Sequence, residues 1–252
     1  MNYYKTNAIV LKKVDYGDSS LILTVFSRDF GKIALTAKGV KRALSKFESP
    51  PELLTVQQFV FSRRGFGPMA NASESALLEE FRGLRSDLGR FYAACYAAEM
   101  LLGLCAEWQP LPEVYDIAIA ALRDINLADP VAALFRFEAA ALGLLGHAPV
   151  LDRCAHCGTA RKKAQRVALS AEKGGYLCSE CAGLDAGALE VQGGTAAAME
   201  LLFGGPGEKY RTLSPGPKAR LDLQRAFDYL LGFLREKPSR AMPLLATRLS
   251  GS

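Results

Sequence analysis

The sequence predicts a multi-domain α+β protein: a small β-barrel comes first, followed by a helical region into which a four-cysteine module is inserted. Short apolar runs of strand length, separated by turn residues, fill the N-terminal third, and helical periodicity then takes over. Two Cys-x-x-Cys pairs interrupt that helical pattern. We therefore expect a barrel domain at residues 1–78 and a helical domain in two parts, at 79–150 and 185–252. The cysteine module lies between those two parts, at residues 151–184.

The N-terminal region carries the strand signals. Residues 8–11 and 21–26 are apolar runs of strand length, and residues 32–38 alternate apolar and polar side chains. Further strands are expected at 53–61 and near 68–72. About five short strands with turns at this spacing are typical of a small barrel.

The helical region follows the barrel. Residues 87–107 place apolar side chains at three- and four-residue spacing. Pro112 suits the first turn of a second helix, and Asp129-Pro130 predicts an N-cap and first-turn proline for a third. Two more helices are expected after the cysteine module: one at 194–203 and one from Ser214.

The cysteine pairs, Cys154/Cys157 and Cys178/Cys181, are separated by twenty residues. Each pair can place two thiolates on one tetrahedral ion, and the loop between them allows a closed shell, which predicts a structural Zn²⁺. Such a shell leaves no position for a catalytic water. Two redox motifs or a disulfide pair are weaker alternatives, because nothing nearby resembles a βαβ unit. His156 is then a bystander or a phosphate contact.

Positive charge is concentrated at the N-terminus. The chain has a net charge of +5, yet residues 1–66 alone hold eleven Lys and Arg against five Asp and Glu, a net charge of +6. A basic module joined to a near-neutral body suggests a polyanionic partner, although a merely solvated basic face is the alternative. The candidate nucleic-acid contacts are the cations on and after the third strand, with one from the first: Lys32, Lys38, Lys41, Arg42, Lys46 and Lys13.

Other functional classes lack support in the sequence. There is no nucleophile elbow, no paired acidic motif and no second group of metal ligands, so no enzyme is expected. No apolar run reaches membrane-spanning length and the N-terminus does not resemble a signal peptide, so we expect a cytoplasmic protein without a membrane partner. Cys95 and Cys105 lie in apolar helical sequence and are expected to be buried.

Several motifs, in order along nearly the whole chain, together resemble the bacterial RecO family of recombination mediators. The N-terminal ones are residues 8–13, Asp15-Tyr16-Gly17-Asp18-Ser19, residues 22–24, Gly31-Lys32 and residues 37–42. The later ones are residues 80–85, Arg136-Phe137-Glu138, residues 146–149, residues 151–154 and Ser239-Arg240.

The resemblance implies that the barrel is an OB-fold, that the insertion binds zinc through its four cysteines and that the protein is not an enzyme. It implies binding to single- and double-stranded DNA, strand annealing, association with RecR, and help in loading RecA onto strands coated by single-strand-binding protein at the nucleoid. DNA contact is carried over to Lys32, Lys38, Lys41 and Arg42. The alternatives are a zinc-ribbon RNA-binding or transcription-type module, which would prefer RNA through 2′-hydroxyl contacts, and a hydrolase or nuclease.

Overall fold

A computed structural model of the chain describes residues 2–42, 44–63, 65, 67–162, 166–205, 213 and 215–250. The chain forms two compact units, residues 1–127 and residues 128–252. The finer domain boundaries expected from the sequence stay a prediction.

Five strands of the first unit close into a barrel, which confirms the expected fold class. Neighbours follow the order β1-β2-β3-β5-β4, with β3 and β5 parallel and the other pairs antiparallel. This five-stranded closed arrangement is that of the OB-fold. The strands are β1 (Tyr3–Tyr16), β2 (Ser20–Ser27), β3 (Gly31–Ala37), β4 (Thr55–Ser62) and β5 (Met69–Glu80).

The barrel interior is filled by alternate side chains of the strands. In β3, for example, Ile33 and Leu35 are fully buried, while Lys32 before the first and Ala34 between the two are partly exposed. Phe59 and Phe61 of β4 contribute large rings to the same core and are also fully buried. Closure gives each barrel strand a paired neighbour on both sides.

The last barrel strand and the first helices differ in extent from the sequence prediction. Strand β5 continues to Glu80, past the residue where helix was expected to begin. The helix expected over residues 87–107 is present but ends at Leu104, and a separate short helix precedes it. The helices are α1 (Arg82–Ser86) and α2 (Leu88–Leu104). Asp87 separates them because its carboxylate accepts a hydrogen bond of 2.8 Å from the Arg90 amide and so caps α2.

Helix α3 (Pro112–Leu127) begins at the expected proline and belongs to the first unit. The segment before it runs along β3, where the Trp108 amide donates to the Lys32 carbonyl at 2.9 Å. Gly31 allows this approach, because a Cβ there would lie 1.8 Å from the Gln109 carbonyl oxygen. The connection between α2 and α3 is thereby fixed onto the barrel.

The second unit combines helices with a small sheet. Helix α4 (Pro130–Leu144) has the predicted cap, since the Asp129 side chain accepts hydrogen bonds from the Val131 and Ala132 amides. The predicted helix start at Ser214 lies outside the described residues. The other α-helices among the described residues of this unit are α5 (Gly193–Phe203), α6 (Pro217–Leu234) and α7 (Ala241–Ser250).

Three short strands of the second unit were not predicted. They are β6 (Arg166–Ser170), β7 (Gly175–Leu177) and β8 (Leu189–Gln192), which pair antiparallel in the order β7-β6-β8. Strands of three to five residues are too short to show periodicity, so the sequence carries no local signal for them.

Across the described ranges, no helix combines the length and apolar character needed to cross a membrane.

Candidate metal centre and nucleic-acid surface

The four predicted cysteines come together at one point of the second unit. Their sulfur atoms all lie within 4.8 Å of one another. Cys154 and Cys181 are buried, Cys178 is partly exposed and Cys157 is exposed. The cluster therefore has two sulfurs toward the interior and one at the surface, so an ion could reach it from solvent.

Each Cys-x-x-Cys pair forms a tight turn that directs both sulfurs to the same side. In the first turn the Gly158 amide donates to the Cys154 carbonyl at 2.9 Å, and Gly158 has a positive φ of 75° that favours glycine. In the second the Ala182 amide donates to the Cys178 carbonyl at 2.8 Å. The Ala155 amide also donates to the Tyr176 carbonyl at 2.7 Å, which fastens the first turn beside strand β7.

The distances and donors fit a tetrahedral thiolate site. The Cys157 and Cys178 sulfurs are 3.7 Å apart. Four sulfurs at the usual Zn–S distance of about 2.3 Å would be roughly 3.8 Å from one another. The side chain of His156 is exposed and is not one of the clustered ligands.

The cysteine pKa values are spread widely within the cluster. Burial by itself would raise the pKa of the Cys154 thiol. Hydrogen bonds to its sulfur, among them those from the backbone amides of Cys157 and Cys178, outweigh that effect and lower the pKa to about 6. Burial raises the pKa of Cys181 to about 12. Thiols packed this closely cannot all ionise on their own, so a bound dication would be needed to hold four thiolates together.

The predicted nucleic-acid contacts fall at one end of the barrel, with one exception. We call Lys13, Lys38, Lys41 and Arg42 the basic end; it lies where strand β1 ends, β2 begins and β3 ends. The Lys41 ammonium bonds the Asp15 carboxylate at 2.6 Å, and the Arg42 guanidinium bonds the Ser19 hydroxyl at 3.3 Å. The β1–β2 hairpin and the loop after β3 are thus joined by side chains from both.

The other two predicted cations, Lys46 and Lys32, lie outside the basic end. Lys46 is exposed farther along the same loop. Lys32 is the second residue of strand β3, and a separation of six residues, roughly 20 Å along a strand, lies between it and Lys38. Its ammonium donates to the Leu102 carbonyl at 2.7 Å and is only partly exposed. The structure does not bring Lys32 together with the basic end.

Sequence reasoning missed the acidic partners of the basic end. Glu52 bonds the Lys13 ammonium at 2.8 Å, and Asp15 bonds Lys41. The hydrogen bond from Lys41 lowers the pKa of Asp15. Exposed ion pairs of this kind contribute little stability, so a phosphate can replace the carboxylate at small cost. These two ion pairs could not be predicted from the sequence, because the residues of each pair are at least 26 positions apart in the chain.

The comparisons with known proteins agree along most of the chain. The family models described as Recombination protein O, N terminal and C terminal, match residues 1–81 and 85–242. The chain is 36% identical to the DNA repair protein RecO of Rhodopirellula baltica over 69% of its length and 65% of that protein. It is 34% identical to the DNA repair protein RecO of Anaeromyxobacter dehalogenans over 79% of this chain and 78% of that protein. It is 28% identical to the RecO of Desulfitobacterium hafniense over 96% of this chain and 88% of that protein. The chain belongs to the RecO family.

Proposed function

We propose that this protein is a DNA-binding mediator of recombination and DNA repair that anneals complementary strands and catalyses no covalent step. The observation that carries the proposal is the basic end: four cations held by hydrogen-bonded loops on an OB barrel in a chain of the RecO family. Backbone-directed Lys and Arg neutralise phosphates and leave base edges exposed for pairing.

Annealing follows from this chemistry without a nucleotide. Pairing of two complementary strands is downhill once the repulsion between their phosphates is screened. The protein needs only to collect two strands on a cationic surface, so ATP should have no effect. We further propose that it acts at the nucleoid in the cytoplasm with RecR, on strands coated by single-strand-binding protein, and helps to load RecA there.

We also propose that the metal of the four-cysteine cluster is Zn²⁺. Cys154, Cys157, Cys178 and Cys181 would hold it, and its chemical contribution is to neutralise and join the four thiolates. The closed shell gives the ion a structural role. Measurement of bound metal in the purified protein tests this assignment, and a bound metal other than zinc would contradict it.

A salt titration of DNA binding tests the contact surface. If about four phosphates are neutralised, the logarithm of affinity for single-stranded DNA should fall with the logarithm of salt with a slope near −3. The variant Lys41→Glu with Arg42→Glu should bind far more weakly and with a flatter slope. The control, Lys218→Glu with Arg225→Glu, makes the same charge change on exposed positions of α6 and should behave as the parent protein.

An annealing assay tests the activity. Two complementary oligonucleotides should pair faster with the protein than without it, with or without ATP, and also when single-strand-binding protein coats them. An ATP requirement, or annealing of naked strands only, would contradict the proposal. Tighter binding to RNA than to DNA of the same sequence would instead support an RNA-binding module, and cleavage of either strand would support a nuclease.

A further inference from the structure

Leu44 lies in the loop of the basic end and is almost completely exposed. Its side chain is 99% accessible, the highest value among the large apolar residues that the structure describes. The next most exposed, Leu127, is 79% accessible. A single exposed leucine is ordinary in proteins, but this one is distinguished by how the loop holds it and by the cations that surround it.

The loop holds Leu44 out by anchors on both sides. Val40 and Phe47 are 2% and 8% exposed and belong to the barrel core. Between them the Ser45 amide donates to the Arg42 carbonyl at 3.1 Å, which closes a tight turn that contains Leu44. The turn cannot fold back over the barrel without extracting one of its two anchors, so the leucine is presented to solvent by the structure of the loop.

Cations flank the leucine in the chain. Lys41 and Arg42 precede it, Lys46 follows it, and all three are exposed. If these side chains hold successive phosphates, the apolar side chain between them faces the bases. Small apolar side chains that insert between neighbouring bases are a known way for proteins to separate a base step.

We propose that Leu44 is a wedge that inserts between neighbouring bases of single-stranded DNA while the flanking cations hold the phosphates. The proposal rests on the proposed DNA-binding function and adds the base contact that the cations cannot make. Single strands are the favoured ligand because their base faces can be separated without breaking base pairs. A separated base step also leaves the pairing edges open to a complementary strand.

Fluorescence of 2-aminopurine in an adenine-rich oligonucleotide measures the wedge directly. Stacking quenches this base, so insertion of an aliphatic side chain beside it should increase the emission severalfold when the parent protein binds. Leu44→Ala should abolish the increase and weaken binding roughly five- to tenfold, as expected for loss of most of a buried leucine. Leu127→Ala, which shortens the other highly exposed leucine, should leave both signals unchanged.

A second variant separates insertion from simple contact. Leu44→Lys adds a cation at the same exposed position, so its affinity at low salt should equal or exceed that of the parent protein. It should nevertheless lack the fluorescence increase, because an ammonium cannot enter between bases. Thermal melting should be unchanged in both variants, since the side chain packs against little of the protein.

The outcomes of the two proposals are distinguishable. A fluorescence increase that survives in Leu44→Ala or Leu44→Lys would overturn the wedge and leave the DNA-binding function standing. The wedge would also be overturned, and the DNA-binding function left standing, if the parent protein bound DNA without an increase in 2-aminopurine fluorescence. If Lys41→Glu with Arg42→Glu binds as tightly as the parent protein, the loop is not the DNA site, and the proposed contact surface falls together with the wedge.

Discussion

The barrel and the cysteine module reach a defined structure by different means. Strands of 7 to 14 residues enclose a core of fully buried side chains in the barrel. The sheet beside the cysteines has strands of only three to five residues, although more than half of their residues, such as Leu169 and Leu177, are buried. An apolar core holds the first together, whereas the proposed Zn²⁺ would add a cross-link through four sulfurs to the second. Removal of either support should therefore affect one region and spare the other.

The largest effect is expected from loss of the metal ligands. Cys154→Ser with Cys157→Ser should abolish metal binding and open the sheet of β6, β7 and β8, because structural zinc supplies about 10–16 kcal/mol of apparent folding energy in small domains. Metal analysis and amide hydrogen exchange measure this, and the amides of β1–β5 should keep their protection. Cys95→Ser in α2 is the control, since that thiol lies outside the cluster. One metal ion per chain in the double variant would contradict the assignment.

The converse experiment removes a ring from the barrel core. Phe59→Ala should lower the free energy of unfolding of the first unit by about 3–5 kcal/mol, because the site is fully buried and a cavity would remain. Denaturant unfolding measures the loss, and the metal content should not change. Val14→Ala, at a position 43% exposed on β1, should cost less than about 1 kcal/mol. Loss of metal in the Phe59 variant would show that the two regions are not independent.

A smaller effect is expected where the α2–α3 connection crosses the barrel. Gly31→Ala should cost roughly 2–5 kcal/mol, because its Cβ would overlap the Gln109 carbonyl and its φ of 68° disfavours alanine. Gly17→Ala has a similar φ of 63° but meets nothing within 4 Å, so it should cost only about 1–2 kcal/mol. Equal losses of unfolding free energy in the two variants would mean that the close approach is not important.

The smallest effect is expected at the ion pair between the β2–β3 turn and α3. The Arg28 guanidinium bonds both carboxylate oxygens of Asp116 at 3.1 Å, but the two side chains are 52% and 54% exposed. Asp116→Asn should therefore cost less than about 1 kcal/mol. Arg28 lowers the pKa of Asp116, so the contribution is present above the ordinary pKa of 3.8 and is lost as pH falls through the lower folded value.

Urea unfolding at pH 7 and at pH 2 measures that pair. The difference between parent and variant should be visible at pH 7 and should shrink toward pH 2, as acid protonates the carboxylate and the pair loses its charge. A difference that persists or grows at the acidic pH would show that the carboxylate acts through packing rather than through its charge.

Features with a local signal could be predicted from the sequence. The cysteine spacing predicted the cluster because two ligands of each pair are three residues apart and form one turn. Asp129-Pro130 predicted the start of α4 because an N-cap and a first-turn proline act within one turn of helix. The barrel strands were visible because short apolar runs at 8–11 and 21–26, alternation at 32–38 and the turn residues between them are local signals.

Features that depend on distant partners were decided by the tertiary structure. Lys32 and Lys38 share one strand in the sequence, yet the Leu102 carbonyl binds the first and the second lies at the basic end, because a strand spans the barrel from end to end. Strands β6, β7 and β8 pair with segments up to 26 residues away, such as Arg166 with Gln192, which no local pattern indicates. The exposure of Leu44 likewise depends on anchors four residues before it and three after it, which are buried by strands elsewhere in the chain. The sequence by itself determines the local elements, such as turns, helix starts and strands. Burial and pairing with distant residues determine which side chains stay exposed and free to bind a ligand.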